Sequence, residues 1–140
     1  MRTLTKLVAV ASLLAIIFAI PIAAQLTTSV IFDTSFPFYA GNAKMPAGTR
    51  VSQSDPGTQM LLLENTSGSH SIFLEYTPTS SETPHPQTDV TFNKYGDREF
   101  ITLIWVGGRS SGMKINESKY EQIAEKNGTA TRHSVTAISR

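Results

Sequence analysis

Short runs of β-prone residues, separated by turn signals, make up most of the chain after its first 24 residues. Gly-Asn, Pro-Ala-Gly and Asp-Pro-Gly sequences mark the turns, because these residues favour the backbone conformations that reverse a chain. Within the run over 71–76, alternate apolar residues share one face, which is typical of a strand with one buried side. The pattern therefore predicts strands over 28–33, 36–40, 49–54, 58–64 and 71–76.

The stretch from Asp89 to Val106 predicts a β-hairpin closed by Gly96-Asp97, because a turn of this type needs the positive φ that glycine adopts readily. The turn sets the register of the hairpin, and a slip of one residue would scatter the apolar side chains between the two faces. The predicted cross-strand pairs are Lys94 with Glu99, Phe92 with Ile101, and Val90 with Leu103.

The one convincing helix signal lies over Lys119–Asn127. Ser118 and Glu121 form a Ser-x-x-Glu capping box, in which each side chain satisfies a backbone N–H group of the first turn. Gly128 is placed to end the helix. The apolar stripe at helical spacing consists of Tyr120, Ile123 and Ala124.

The second arm of the hairpin is apolar on both faces, which predicts a strand that is covered on both sides. In this interpretation the rest of the sheet covers one face and the helix covers the other. Ile104 lies on the face assigned to the helix. We therefore predict that Ile104 and Ile123 are both buried.

Two segments carry weaker signals. Residues 77–87 contain three prolines, which predicts a solvent-exposed loop. Residues 129–140 show little alternation of apolar and polar residues. This segment is therefore either a frayed tail or a last edge strand, and the sequence does not choose between them. The fold expected for residues 25–128 is a mainly antiparallel β-sandwich or partly closed barrel of seven or eight strands with one short helix.

The N-terminus has the parts of a secretory signal in their usual order. Arg2 and Lys6 precede an uncharged apolar run over 7–20. A proline and two alanines follow that run closely. The run is shorter than the ~20 apolar residues that a membrane-spanning helix needs. The sequence thus predicts a signal peptide over 1–24, export to the periplasm or the outside of the cell, and no stable membrane span after cleavage.

The charge and the cysteine content of the chain limit the kinds of partner that we expect and show what must hold the fold together. The full chain has 12 basic and 11 acidic residues, and removal of Arg2 and Lys6 leaves 10 basic residues against the same 11 acidic ones. These charges are scattered, whereas a nucleic-acid binder concentrates Lys and Arg on one face. Nucleic acid is therefore not expected as a partner. The chain has no cysteine, so its core alone must hold it together.

Several motifs lie along the chain in a characteristic order. They are a Pro-Ala-Gly turn at 46–48 followed by Thr49, a Phe-Asn-Lys-Tyr-Gly-Asp-Arg-Glu-Phe hairpin over 92–100, Trp105 at the end of that hairpin, and Ser118 with Glu121. In these the chain resembles a group of small exported proteins of unknown function from soil bacteria of the acidobacterial type. Glu99 departs from that group, which usually has an aromatic residue there. The resemblance implies a bacterial envelope or extracellular address and no particular activity.

The sequence contains no strong signature of catalysis, a metal or a cofactor. His70, His85 and His133 lie far apart and lack metal-ligand spacing, so we expect ordinary surface histidines whose joint replacement leaves stability nearly unchanged. The glycine-rich stretch over 107–112 lacks the Gly-Lys-Ser/Thr ending of a phosphate loop and predicts a hairpin connection. We therefore predict no catalytic residue, no metal ligand and no cofactor.

Tyr95, Asp97 and Arg98 lie together at the predicted hairpin tip and are the candidate recognition patch, although turn chemistry also accounts for these residue types. The leading hypothesis is an exported, non-catalytic envelope or extracellular β-module that binds a protein, a glycan or a small apolar ligand. The alternatives are a small exported hydrolase and a surface protein that self-associates into homo-oligomers through an exposed edge strand.

Overall fold

The computed structural model describes residues 28–55 and 57–140, so the predicted signal peptide over 1–24 lies outside the described residues. The described part consists mainly of β-strands, with one helix towards its C-terminal end. The elements are β1 (Ser29–Thr34), β2 (Phe38–Ala40), β3 (Ala43–Met45), β4 (Gly48–Asp55), β5 (Met60–Asn65), β6 (Ser71–Ser80), β7 (Asp89–Tyr95), β8 (Arg98–Trp105), β9 (Ser111–Ile115), α1 (Lys119–Asn127) and β10 (Thr131–Ser139).

The strands pair in the order β3-β2-β8-β7-β10-β1-β4-β5-β6-β9, and β9 also pairs with β8. All pairings are antiparallel except the short contact of β2 with β8. The β8–β9 pairing closes a ring of eight strands over only part of β8, from Leu103 to Trp105, while β2 meets β8 at Phe100. The predicted mainly antiparallel fold is confirmed, in its partly closed barrel form.

The core fills the inside of this barrel. Burial alternates along β1 and β5, so that Val30, Phe32, Leu61 and Leu63 point inwards. The rings of Phe32 and Phe38 each lie within 6.3 Å of the Phe92 ring, centroid to centroid. Aromatic side chains of this size supply much of the buried apolar area in a small domain.

The predicted hairpin is confirmed, but its register changes part of the way along. Lys94 pairs with Glu99 and Phe92 with Ile101, as predicted, whereas Val90 pairs with Ile104 and not with Leu103. A β-bulge between Thr91 and Phe92 in the ladder accounts for the difference, because one extra residue in β8 opposes the partner strand. The bulge also turns both Ile101 and Ile104 into the core, which simple alternation would forbid.

The helix occupies the predicted residues, but it presents a different face to the sheet. The Ser118 hydroxyl accepts a hydrogen bond from the Glu121 backbone N–H at 3.2 Å, which is the expected N-cap. The predicted burial of Ile123 is wrong, because Ile123 is 51% exposed and the helix buries Glu121 and Ala124 instead. The small side chain of Ala124 allows the helix to approach the ring of Phe100, with which it shares a buried cluster.

Two further segments differ from expectation. The predicted loop over 77–87 begins later, because β6 continues through Ser80 and pairs with β9. The C-terminal segment is neither a tail nor an edge strand, since β10 pairs with β7 on one side and with β1 on the other. The apolar residues of β10 are Val135 and Ala137, which pack against the core, and Ile138, which is exposed. This weak pattern did not predict a strand that is paired on both sides.

Candidate functional site

A cleft of about 690 Å³ lies between α1 and the outer surface of the barrel, and we call it the α1 cleft. Its lining is predominantly polar and combines hydroxyl, amide, carboxyl and basic groups. The lining residues are Thr77, Thr79, Asn93, Tyr95, Thr102, Leu103, Lys114, Ile115, Asn116, Glu117, Glu121, Glu125 and Arg132. A volume of this size falls within the range typical of small-molecule sites.

The periodicities of strand and helix place these side chains. Thr77 and Thr79 are two positions apart on β6 and share its outer face. Glu121 and Glu125 are four residues apart, which puts them on one face of α1, and Glu117 lies just before the N-cap of that helix. The sequence analysis did not identify this acidic face, although its four-residue spacing in the sequence was the signal that could have found it.

Glu121 is the most constrained of the three carboxyl groups. It is only 6% exposed, and its Oε1 atom accepts a hydrogen bond of 3.3 Å from the Asn93 side-chain amide. Burial raises the pKa of Glu121, the Asn93 hydrogen bond opposes that increase, and the negative charge of Glu125 adds to it. The capping-box carboxylate thus bonds to a side chain of β7.

The other titratable groups of the cleft influence one another. A hydrogen bond between the carboxyl groups of Glu117 and Glu125 raises the pKa of Glu117, and partial burial and the neighbouring carboxylates raise it further, against the opposing charge of Lys114. Burial also raises the pKa of Tyr95, with added contributions from the three glutamates. At neutral pH the Tyr95 hydroxyl is protonated, as in any tyrosine, and it can donate a hydrogen bond.

Replacing Glu121 by Gln is expected to raise the free energy of unfolding at neutral pH. The folded protein raises the pKa of this carboxyl, so ionisation of Glu121 above that pKa costs folding free energy, and a neutral amide avoids the cost. The advantage of Glu121→Gln should shrink as the pH falls through the raised pKa towards the ordinary value of 4.5. Urea unfolding over a series of pH values measures the difference.

Glu82→Gln is the matched control for this variant, because Glu82 is exposed in the loop after β6. Its stability should follow that of the unaltered protein at every pH. A Glu121→Gln difference that stays constant with pH, or a loss of stability at neutral pH, would contradict the proposed effect of burial.

The structure assigns different surroundings to the predicted recognition residues. Tyr95 and Arg98 are directly opposite in the hairpin, and Gly96 between them adopts a φ of +61°, as the turn requires. Tyr95 is buried, packs edge-on against Phe100 at 5.8 Å, and lines the α1 cleft. Arg98 is exposed and lines a separate surface pocket of about 250 Å³, while Asp97 is an exposed turn residue. Only Tyr95 of the three belongs to the cleft.

The pocket beside Arg98 lies next to the other face of α1. Its remaining lining residues are Tyr39, Tyr120 and Ile123. The Tyr120 ring meets the Tyr39 ring edge-on at a centroid distance of 6.1 Å, which accounts for the position of a residue that the apolar stripe had assigned to the sheet. The helix therefore separates a polar cleft from a partly aromatic surface.

Two of the three histidines contact carboxylates and are not isolated surface residues. His85 Nε2 lies 2.8 Å from Asp89 Oδ2, and the His85 ring stacks on Trp105. His133 Nε2 lies 2.6 Å from Glu99 Oε2, between strands that are not adjacent in the sheet. Both carboxylates belong to buried residues. These contacts correct the expectation that His85 and His133 are ordinary surface histidines, while the effect of replacing them on stability stays a prediction.

Among residues 28–55 and 57–140, no group of three or more His, Cys, Asp or Glu side chains is arranged to hold a metal ion. The same residues include no helix that is long and apolar enough to cross a membrane. No protein-family model, curated protein or solved structure matches this chain.

Proposed function

We propose that this protein is an exported, non-catalytic β-barrel module that binds a glycan in the α1 cleft. The supporting observation is the polar lining of a cleft of about 690 Å³. Sugar hydroxyl groups both donate and accept hydrogen bonds, and the cleft offers partners of both kinds. An apolar ligand would leave those groups without partners, at a cost in binding free energy.

The donors and acceptors are distributed around the cleft. Lys114 and Arg132 carry N–H donors, and Tyr95 carries a protonated hydroxyl. The side chains of Asn93 and Asn116 each contain donor and acceptor atoms. The carboxyl groups on α1 are the strongest acceptors. Because acceptors and donors face the same space, a ligand with several adjacent hydroxyl groups fits the lining better than a simple cation or anion.

The other occupants considered from the sequence fit less well. Aromatic and branched side chains fill the barrel interior, including Phe38, Phe92 and Ile104, which leaves little room there for a large apolar ligand. Strand β3, which lies at one end of the strand order, is only three residues long and carries the exposed Lys44. Short, charged edges of this kind disfavour edge-to-edge association.

The proposal that the protein is exported rests on the predicted signal peptide over 1–24 and on the resemblance to small exported bacterial proteins.

A glycoside hydrolase is the second candidate, because two carboxyl groups with raised pKa values lie in the cleft. Such enzymes hold a carboxylic acid and a carboxylate roughly 5–9.5 Å apart, across the bond that breaks. The hydrogen bond between the carboxyl groups of Glu117 and Glu125 brings these two closer together than this, so this pair does not have the spacing of a hydrolase.

The test is calorimetric titration of the purified protein with neutral oligosaccharides, namely cellotetraose, chitotetraose, maltotetraose and xylotetraose. We expect at least one of them to bind, and Glu125→Gln or Arg132→Gln to weaken its binding about tenfold, since a hydrogen bond to a charged group contributes ~1.5–3 kcal/mol. Both residues are exposed, so these substitutions should leave the fold intact.

Glu82→Gln and Arg140→Gln are matched controls away from the cleft and should bind as the unaltered protein does. Chromatography of each mixture after prolonged incubation checks for shorter sugars. Their appearance, with loss of turnover in Glu121→Gln, would establish the hydrolase instead. Binding of none of the four sugars, or binding that neither cleft variant weakens, would overturn the proposal for this cleft.

A further inference from the structure

A second pocket, of about 230 Å³, lies at one end of the barrel and is lined differently from the α1 cleft. Its walls include the buried side chains of Tyr76, Val106 and Met113, with the ring of Pro78 beside them. Hydroxyl groups and one basic residue surround this apolar interior. The polar lining residues are Thr28, Ser54, Arg109 and Ser111.

Along β6, the pocket and the cleft lie on opposite faces of the strand. On β6, Tyr76 and Pro78 line the pocket, whereas Thr77 and Thr79 line the α1 cleft. The alternation of side chains along a strand separates the two sites, one inside the barrel and one outside. The mouths of β-barrels are a recurrent location for ligand sites.

The strand ends that form the pocket are held by backbone hydrogen bonds. The Ser54 N–H donates to the Thr28 carbonyl at 3.2 Å, which joins the end of β4 to the start of β1. The Arg109 N–H donates to the Val106 carbonyl at 3.2 Å, and the Arg109 carbonyl accepts a bond from His85 at 2.9 Å. The backbone of Arg109 is thus fixed at the rim before any ligand arrives.

Arg109 brings a positive charge to this rim. Its Nη1 atom donates to the Thr28 hydroxyl at 2.9 Å, and none of the described residues pairs a carboxylate with it. The carboxylate of Asp55, the residue after Ser54, accepts a hydrogen bond from the Gly57 N–H within its own turn. The remaining N–H groups of the guanidinium are therefore available to an anion, and arginine binds carboxylates in a two-pronged geometry.

We propose that this barrel-end pocket binds a short-chain carboxylate, with its alkyl tail against Tyr76, Val106 and Met113 and its carboxylate on Arg109. The apolar walls favour an alkyl tail, because burial of each CH₂ group contributes ~0.8 kcal/mol to the free energy of binding. The arginine at the rim accounts for the charge of the head group. The pocket is too small for a long acyl chain to enter completely, which limits the ligand to the short members of the class.

The test uses four probes: hexanoate, hexanol, hexylammonium and acetate. Trp105 is the only tryptophan of the chain, and its ring lies so close to the pocket residue Gly112 that a Cβ atom there would clash with it, at 2.7 Å. Calorimetry supplies the dissociation constants, and the fluorescence of Trp105 is recorded alongside it. We expect hexanoate to bind at least about tenfold more tightly than each of the other three probes.

Arg109→Gln should weaken hexanoate binding about tenfold and leave hexanol binding unchanged, since only the head-group contact is lost. Arg109 is exposed, so this variant should fold normally, and Arg98→Gln at the hairpin tip is the matched control. The proposal is overturned if hexanoate fails to bind at millimolar concentration. It is also overturned if hexanol or hexylammonium binds equally well, or if Arg109→Gln binds hexanoate normally.

Discussion

Replacing Ile104 by Ala is expected to lower the free energy of unfolding by about 2–4 kcal/mol. Ile104 is completely buried, it belongs to the core cluster inside the barrel, and the bulge in β8 turns it towards that core. Truncation removes apolar contacts and leaves a cavity, which a tightly packed core fills poorly by relaxation. Urea unfolding of the purified protein, followed by the fluorescence of Trp105, measures the loss.

Ile123→Ala is the matched control, because it makes the same chemical change at a residue that is 51% exposed on α1. We expect a change within about 0.5 kcal/mol, as for most surface substitutions. The two changes should be additive in a double-mutant cycle, since the residues do not share the contacts that would couple them. If Ile123→Ala lowers the free energy of unfolding substantially, or if the double-mutant cycle gives a clear coupling energy, α1 has the orientation that its apolar stripe predicted.

Replacing His133 by Ala is expected to destabilise the protein by about 2 kcal/mol, because hydrogen bonds to charged groups contribute roughly this amount. The variant removes the 2.6 Å contact with Glu99, whose side chain is only 8% exposed, and leaves that carboxylate without its partner. It also removes a ring that stacks on Phe92 and meets Phe36 edge-on. The same urea unfolding experiment measures this loss.

His70→Ala is the control, because His70 is exposed in the turn before β6 and bonds only to neighbouring residues of that turn. Its stability should stay within about 0.5 kcal/mol of the unaltered protein. Glu99→Gln in the His133→Ala background should recover part of the loss, since it removes the unpaired buried charge. If His133→Ala is as neutral as His70→Ala, the histidine and the carboxylate do not stabilise the fold.

Local sequence determined the elements whose cause is local. The glycine at residue 96 supplies the positive φ of the hairpin turn, and the turn sets the first pairs of the ladder, including Phe92 with Ile101. Ser118 caps a helix that ends before Gly128, as its hydroxyl and the following apolar residues indicate. These features depend on residues a few positions apart, so a single sequence contains the information for them.

Tertiary structure alone decided the features that join distant residues. The bulge opposite Thr91, the two-sided pairing of β10 and the contact of His133 with Glu99 each depend on the whole barrel. For the candidate site, the sequence identified Tyr95 but not its neighbours, because strand and helix place them around one space only after folding.

The orientation of α1 shows the physical reason for this division. Its apolar stripe predicted burial of Ile123, yet the folded helix buries Ala124 and Glu121. The close approach of a small side chain to Phe100, and the hydrogen bond from Asn93 to Glu121, favour the observed face. Sequence periodicity specifies that a helix has an apolar side, whereas the shape and polar groups of the surface beneath it determine which side is buried.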